Sequence, residues 1–369
     1  MLGHEVRVLV VGAGLAGLAA ARTLRDWGAA VEIFERQSAP PREGSGIYLP
    51  GNAARALEAL GLGALVAECA VHIRRQRTAD HLGRPLFEVD VERWWHGVGP
   101  CLALPRADLH QVLLAGIDGV PVRWGLSPEE VSVGEEGVTV TAGDTSARYD
   151  LVLGADGVHS TVRQLVFGIA AVQPVGQYAR RFVVPWGDQP ETWSVLLGVG
   201  SAFLTIPIGG GQVYCYCDGP LEDPRSLREL LAGYADPVPT LLDALETMGG
   251  ERVMHAGPVE EVVLDRWSHG AVLLIGDAAH ATSPNMAQGA AMAFEDAAIL
   301  AESLAKATEI TSALSAFEHR RRPRTDWVRR QTHRRDRART LSPTVRDLTL
   351  RGFGTRIFHA NYRPLREQP

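Results

Sequence analysis

Val6-Arg7-Val8-Leu9-Val10-Val11-Gly12-Ala13-Gly14-Leu15-Ala16-Gly17 decides the fold of this chain. Its first half is a nearly continuous β-branched run, as expected for a parallel strand covered on both faces. The glycines follow at once, then a small-residue helix, Leu18 to Trp27, closed by Gly28. A second strand, Val31-Glu32-Ile33-Phe34, ends in Glu35. Strand, glycine turn, helix, strand and terminal acid together predict a dinucleotide-binding βαβ unit. Gly12 permits the tight turn, Gly14 lets the backbone approach a pyrophosphate, and Gly17 lets helix and strand pack closely. Leu15 and Ala16 fall between them, where free N–H groups and the helix dipole favour phosphate charge. Glu35 is placed to accept hydrogen bonds from an adenosine ribose diol. That carboxylate disfavours a 2′-phosphate, which leaves FAD or NAD rather than NADPH in this cradle.

The 369 residues, 46% apolar and 22% charged, fit a soluble enzyme with two domains or one large domain with an inserted lobe. Four cysteines (Cys69, Cys101, Cys215, Cys217) include no C-x-x-C pair and read as reduced thiols. Cys215 and Cys217, two apart in a strand-like run, fall on one face. No H-E-x-x-H pair is present, and no metal is expected. The longest uncharged apolar stretch, Val8 to Ala21, is 14 residues, short of the roughly 20 that span a bilayer. The chain reads as cytoplasmic. The net charge of -6 is uneven: 15 Arg against 4 acidic residues from His319 onward give +11, leaving -17 for the first 318. Taken alone, that tail suggests a polyanion partner.

Val138-Thr139-Val140-Thr141 and Tyr149 to Leu153 extend the first lobe as strands, with helices over Asn52 to Leu60 and Arg106 to Leu114. From Gln173 to Val263 the texture becomes alternating, in Trp193 to Leu197, Phe203 to Ile206 and Gln212 to Cys217, with Gly209-Gly210-Gly211 as a hairpin turn. Two helices, Ser226 to Tyr234 and Pro239 to Met248, accompany that sheet. A buried strand, Ala271 to Ile275, leads into Gly276-Asp277 and a long helix from about Ala287 to Lys306. The expected fold is α/β: a Rossmann-like lobe with a parallel sheet (1–172 and 264–310), an inserted, mainly antiparallel substrate sheet (173–263), and C-terminal helices packed on the nucleotide lobe (311–369).

Two later motifs separate FAD from NAD. Leu151-Val152-Leu153-Gly154-Ala155-Asp156-Gly157 is a strand ending in an Asp-Gly turn, and Gly276-Asp277-Ala278-Ala279-His280 ends a second strand before Pro284 and Ala287-Gln288-Gly289-Ala290. With these in order, residues 5 to 335 resemble the class A flavoprotein monooxygenases, the group of para-hydroxybenzoate and salicylate hydroxylases. The resemblance implies that Gly12, Gly14 and Gly17 cradle the FAD pyrophosphate, Glu35 holds the adenosine ribose and Arg36 borders the adenine. Arg42, Gly46 and Ile47 match a loop along the flavin. Arg106 matches an arginine reaching toward the ribityl and phosphate, Asp156 an Asp-Gly motif tied to FAD and reductant, and Asp277 a carboxylate toward the ribityl or pyrophosphate. Gly276 belongs to that same turn. Pro284 matches a flavin-facing proline. Gly289, Ala290 and Ala291 open a helix whose dipole stabilises charge at the flavin N1–C2=O edge. In one departure, Ile47-Tyr48-Leu49-Pro50-Gly51-Asn52 carries its proline one place earlier than relatives do.

The implied activity is that of a single-component monooxygenase. NAD(P)H reduces FAD, dioxygen adds at flavin C4a, and the hydroperoxide oxygenates an aromatic or heteroaromatic small molecule. Epoxidation or Baeyer–Villiger insertion is the alternative outcome. A reductase or dehydrogenase without oxygenation, or a non-enzymatic FAD-holding protein, would share the same motifs. The halogenase segment Trp-x-Trp-x-Ile-Pro is absent. Trp193, Phe203, Tyr214 and Tyr216 on the inserted sheet either floor a substrate pocket or form ordinary sheet core, and Tyr48, Tyr214 and Tyr216 are the candidates for activating a substrate hydroxyl. His280, Glu295 and Asp296 read as structural. Phe317 to Arg324 resembles the family segment leaving the FAD lobe, so the Arg excess covers an acidic enzyme's own surface. Neither nucleic acid nor membrane is expected as a partner, and the chain is expected to act as a monomer or homodimer.

Overall fold

The computed structural model describes residues 6–41, 44–168, 171–187, 190–339 and 341–369. Arg7–Val11 pairs in parallel with Ala30–Glu35 on one side and Leu151–Gly154 on the other. Val122–Trp124 extends the sheet beyond Ala30–Glu35, and Val272–Leu274 extends it beyond Leu151–Gly154, again in parallel. Ser268–His269 closes that edge antiparallel. Val8, Leu9 and Val10 are completely buried, as a strand covered on both faces must be. The first helix, Leu15–Trp27, ends where Gly28 turns left-handed at φ 104 and its N–H reaches back to the Leu24 and Arg25 carbonyls.

A second sheet has seven strands among the described residues, in the order His255–Val262, Val172–Pro185, Gln212–Pro220, Ala202–Gly209, Thr192–Leu197, Arg75–Asp80 and Pro85–Asp90. Its hairpin turns through Gly210-Gly211. The last two strands come from the segment that the sequence assigned wholly to the nucleotide lobe. Thr192–Leu197 pairs with Arg75–Asp80 in parallel, an exception within an otherwise antiparallel sheet. Arg-Gln-Arg-Thr-Ala-Asp is too polar to announce a strand; its partner supplies the apolar half of the pair.

Period-two alternation divides this sheet's faces. Cys215 and Cys217 point together into a core with Phe203 and the helix Val238–Met248. Tyr214 and Tyr216 point the other way, toward the nucleotide lobe. Phe203 therefore does not floor a substrate pocket; Leu204 and Ile206 from its strand line the cavity instead.

The C-terminal helices bridge both sheets. Ile310–Ala338 packs on the long helix Gly289–Lys306 through Arg321, which is fully buried and donates to both Glu295 and Asp296 at 2.8 Å. Arg339, at its C-terminal end, pairs with buried Asp218 of the second sheet. Pro343–Tyr362 then lies over that sheet's edge: Arg346 donates to the Gly198 carbonyl, and Gly354 sits so close to Phe87 that a Cβ would come within 2.4 Å of its ring. Packing on the nucleotide lobe alone, as expected from the sequence, describes only part of this arrangement.

Candidate active site

One cavity of about 1110 Å³ runs from the glycine turn to the inner face of the seven-stranded sheet. That exceeds the roughly 300–1,000 Å³ of an ordinary ligand pocket, and its two ends differ in chemistry.

At the glycine end, Gly12 has φ +107, and a Cβ there would meet the Ala155 carbonyl oxygen at 2.5 Å. A Cβ on Gly17 would meet the Gly12 carbonyl oxygen at 1.9 Å. A Cβ on Gly14 would meet nothing within 4 Å. Two glycines are thus required by the protein's own packing, and the third opens onto free space. No side chain caps the helix that begins there, so the N–H groups of Leu15, Ala16 and Gly17 face outward. Glu35 accepts the Ala13 N–H at 2.7 Å through one oxygen and the Gln37 N–H at 2.8 Å through the other. Each oxygen keeps a lone pair, and Glu35 lines the cavity.

His110 holds the next peptide, Ala13–Gly14: its Nε2 lies 2.7 Å from the Ala13 carbonyl oxygen. Burial lowers the His110 pKa, against the opposing effect of that bond. A neutral ring donating from Nε2 satisfies both observations. His110 was not singled out in the sequence, although it lies four residues from Arg106 on one helix face.

In the middle of the cavity stand Arg106, Asp277, Pro284, Gly289 and Ala290. The surrounding protein lowers the Arg106 pKa, with Asp277 opposing. Behind Asp277, Asp296 accepts the Gly276 N–H at 2.9 Å and contacts His280 Nε2 at 2.7 Å, so the turn is fixed from the rear. Ala287, at φ +51, holds a left-handed conformation unusual for a residue with a Cβ. The next residue, Gln288, exchanges hydrogen bonds with buried Asn52 at 3.0 and 3.2 Å, which sets the start of the helix Gly289–Lys306. No side chain caps that helix, so its first N–H groups also face the cavity.

Other residues named from the sequence support this wall without lining the cavity. Ala291 is buried within the helix, and Gly276 packs against Ala16. Asp156 accepts the Thr161 and Val162 N–H groups at 2.6 and 3.1 Å, capping a helix behind the wall. Arg36 is exposed and outside the lining. Arg42 lies outside the described residues. Gly46 and Ile47 do line the cavity, and a Cβ on Gly46 would come within 2.4 Å of Tyr214.

The sheet end presents donors. Trp193, Tyr214 and Tyr216 line it; Trp193 Nε1 is buried without a hydrogen-bond partner, and the Tyr216 hydroxyl lies beside the Asp218 carboxylate. Arg181 lies opposite Tyr216 in the strand register, 5.3 Å over its ring, and is hydrogen-bonded to Tyr214. Arg181 has no ion-pair partner among the described residues. Burial pushes the Tyr214 pKa up to about 12, with Arg181 and Arg106 opposing. Burial raises that of Tyr216 further, and Asp218 adds to it. Both therefore stay protonated and serve as donors rather than bases. Tyr48 stacks obliquely on Trp193 at 4.5 Å, but its hydroxyl is engaged with the Cys101 thiol.

This geometry defines a dinucleotide-binding protein with a second chamber beside the dinucleotide. The chain matches the family described as FAD binding domain over residues 5–195 and 235–332, and it belongs to that family. It is 32% identical to aurachin C monooxygenase/isomerase of Stigmatella aurantiaca, over 84% of each chain. It is also 32% identical to 3-amino-4-hydroxybenzoate 2-monooxygenase of Streptomyces cremeus, over 90% of this chain and 88% of that one. Among solved structures, Klebsiella pneumoniae HpxO complexed with FAD and uric acid superposes with a TM-score of 0.80 at 26% identity, over 98% of this chain and 92% of that one. The protein is a class A FAD-dependent monooxygenase. The residues fit the cofactor: the space above Gly14, the two uncapped helix starts and Glu35 are what FAD requires. Among the described residues no group of His, Cys, Asp and Glu is arranged to hold a metal, and no helix is long and apolar enough to cross a membrane.

Proposed function

We propose that this monooxygenase hydroxylates an electron-rich aromatic or heteroaromatic small molecule that binds as an anion, with NAD(P)H as reductant. The observation that carries the proposal is Arg181, a cation without a carboxylate partner among the described residues, lining a chamber continuous with the FAD cradle. Tyr214 lies beside Arg181 and the buried Trp193 N–H has no partner among the described residues, so a ligand rich in acceptors completes the set. Aminohydroxybenzoate and uric acid, named for two relatives, are both acidic compounds of this kind.

Bound FAD supplies the reduction by NAD(P)H and the activation of dioxygen. The chain's own contribution is placement and charge. The Leu15, Ala16 and Gly17 N–H groups would hold the pyrophosphate and Glu35 the ribose, and the uncapped start of the Gly289 helix would stabilise negative charge on the reduced flavin. Arg181 and the Tyr214 hydroxyl stabilise the ionised substrate, which is the more electron-rich form. The apolar neighbours Val195, Leu204 and Ile206 exclude water from the same space. Hydroxylation is favoured over the other oxygenations because these donors stabilise a phenolate-like ring. Free Cys69, Cys101, Cys215 and Cys217 accord with a reducing, cytoplasmic location.

The test is to follow NAD(P)H and dioxygen together in the FAD-loaded protein with a panel of phenols, hydroxybenzoates and hydroxylated heteroaromatics. Stimulated consumption of both, with hydroxylated product, is expected. Substrate reduction without dioxygen uptake would overturn the reading, as would a protein that cannot be loaded with FAD.

A further inference from the structure

The loop whose proline stands one place earlier than in relatives ends in a side chain that ties two walls of the cavity together. Pro50 precedes the helix Gly51–Ala59, and a Cβ on Gly51 would meet both the Gly99 carbonyl oxygen and the Trp95 ring at 2.7 Å. Asn52 follows and is completely buried. Its Nδ2 donates to Gln288 Oε1 and to Glu295 Oε1, each at 3.0 Å, and its Oδ1 accepts from Gln288 Nε2 at 3.2 Å. Gln288 and Glu295 stand seven residues apart, on one face of the helix Gly289–Lys306 and its cap.

Every amide in this relay has its orientation fixed. Burial pushes the Glu295 pKa up, but Arg321 and Arg324 outweigh it and hold the carboxyl below its ordinary range. An ionised carboxylate only accepts, so Asn52 turns its Nδ2 toward Glu295 and keeps its Oδ1 for Gln288. Both ends of the Gln288 amide are then engaged, and neither caps the helix that starts beside it. The residue before it, Ala287, has φ +51, a conformation that a residue with a Cβ keeps only where its surroundings enforce it. Asn52 clamps the side chain next to that turn. Ala287, Gly289 and Ala290 all line the cavity, so the clamp stands directly behind the helix start that faces the cofactor space.

We infer that Asn52 is a positioning residue for the flavin: through Gln288 it locks the Ala287 turn, so that the uncapped helix start favours reduced over oxidised flavin. The N–H groups of a helix start stabilise negative charge only where they are aimed at it, and the turn does the aiming. The inference concerns the cofactor and not the substrate, so it stands apart from the aromatic hydroxylation proposed above.

The test compares FAD-loaded wild type with Asn52→Ala, Gln288→Met and Asn52→Ala/Ala287→Gly. The two-electron midpoint potential is measured against a reference dye. Affinity for sulfite, whose addition to flavin leaves negative charge on the ring, is measured from the bleaching of flavin absorbance. Asn52→Ala and Gln288→Met should each lose about tenfold in preference for reduced over oxidised flavin, a fall of about 30 mV for a two-electron couple. Sulfite should bind each about tenfold more weakly. Glycine takes up positive φ without penalty, so Ala287→Gly added to Asn52→Ala should restore about half of the lost potential. A merely structural role gives another pattern: a lower melting temperature and equally weakened binding of oxidised and reduced FAD, with potential and sulfite affinity unmoved. That pattern in Gln288→Met, which keeps the size of the side chain, overturns the inference even where Asn52→Ala fails to fold. A fall in potential that Ala287→Gly does not recover overturns it too, since the turn is then not what Asn52 holds.

Discussion

Arg321 donates to Asp296 at 2.8 Å, and both side chains are completely buried. An Arg-rich tail that resembles a polyanion-binding arm thus reaches into the nucleotide lobe and holds the carboxylate that fixes the Gly276-Asp277 turn. Arg324 adds a partly buried contact, to Glu295 at 2.7 Å.

This pair predicts an acid-sensitive fold. Burial pushes the Asp296 pKa up, but His280 and Arg321 outweigh it and hold the carboxyl at about 2. A carboxyl depressed in the folded state contributes stability that is present above the ordinary carboxylate range and lost as pH falls through the folded pKa. Chemical denaturation should therefore show stability falling between about pH 4 and pH 2. Asp296→Asn should cost about 3 kcal/mol at neutral pH and flatten that acid limb. An unchanged limb would remove Asp296 as its cause.

The glycine turn predicts a separation of folding from binding. Gly17→Ala forces a Cβ against the Gly12 carbonyl and should give insoluble or severely destabilised protein. Gly14→Ala meets no protein atom, so it should fold with a melting temperature within a few degrees of wild type yet bind FAD at least about tenfold more weakly. Fluorescence titration of the apoprotein with FAD decides this. Full FAD affinity in Gly14→Ala would mean that the space above the turn is not the pyrophosphate site.

Glu35 has two tasks that one substitution divides. Glu35→Gln retains one acceptor oxygen but replaces the other with a donor facing either the Ala13 or the Gln37 N–H. FAD affinity should drop about tenfold, with a stability loss of about 1–3 kcal/mol from the unsatisfied backbone donor. Stability lost with FAD affinity retained would confine Glu35 to bracing the turn.

At the sheet end, Arg181→Gln should raise KM for an anionic aromatic about 10- to 100-fold, the size of a lost charged hydrogen bond, with Lys restoring part of it. Tyr214→Phe and Tyr216→Phe should lower product formed per NAD(P)H, whereas Tyr48→Phe should not, since its hydroxyl is turned to Cys101. Unchanged coupling in all three variants would end the tyrosines' role.

The sequence made the nucleotide lobe legible because each of its rules is local. Val6 to Gly17 and the acid at Glu35 encode strand, turn and strand end within one βαβ unit, and the structure forms that unit with the helix beginning at Leu15 rather than Leu18. The substrate side was less legible because its logic is long-range. Arg75–Asp80 forms a local hairpin with Pro85–Asp90, but it joins the second sheet only through pairing with residues more than a hundred positions away. Arg181 gains its meaning from two tyrosines on a neighbouring strand and from having no ion-pair partner among the described residues. His110 acts on a carbonyl 97 residues distant, and no local pattern announces that. The reach of the C-terminal helices over the second sheet was equally hidden, since Arg339 and Asp218 meet only in the folded chain.

The central claim is that one cavity brings FAD at its glycine end together with an anionic aromatic at Arg181, so that dioxygen is split between product and water. The mass of the product formed under 18O2 tests it most directly, measured with NAD(P)H consumption on the best substrate of the panel. The account predicts one labelled oxygen atom in the product for each NAD(P)H used in a well-coupled turnover. Unlabelled product, or substrate conversion that proceeds unchanged without dioxygen, would contradict it.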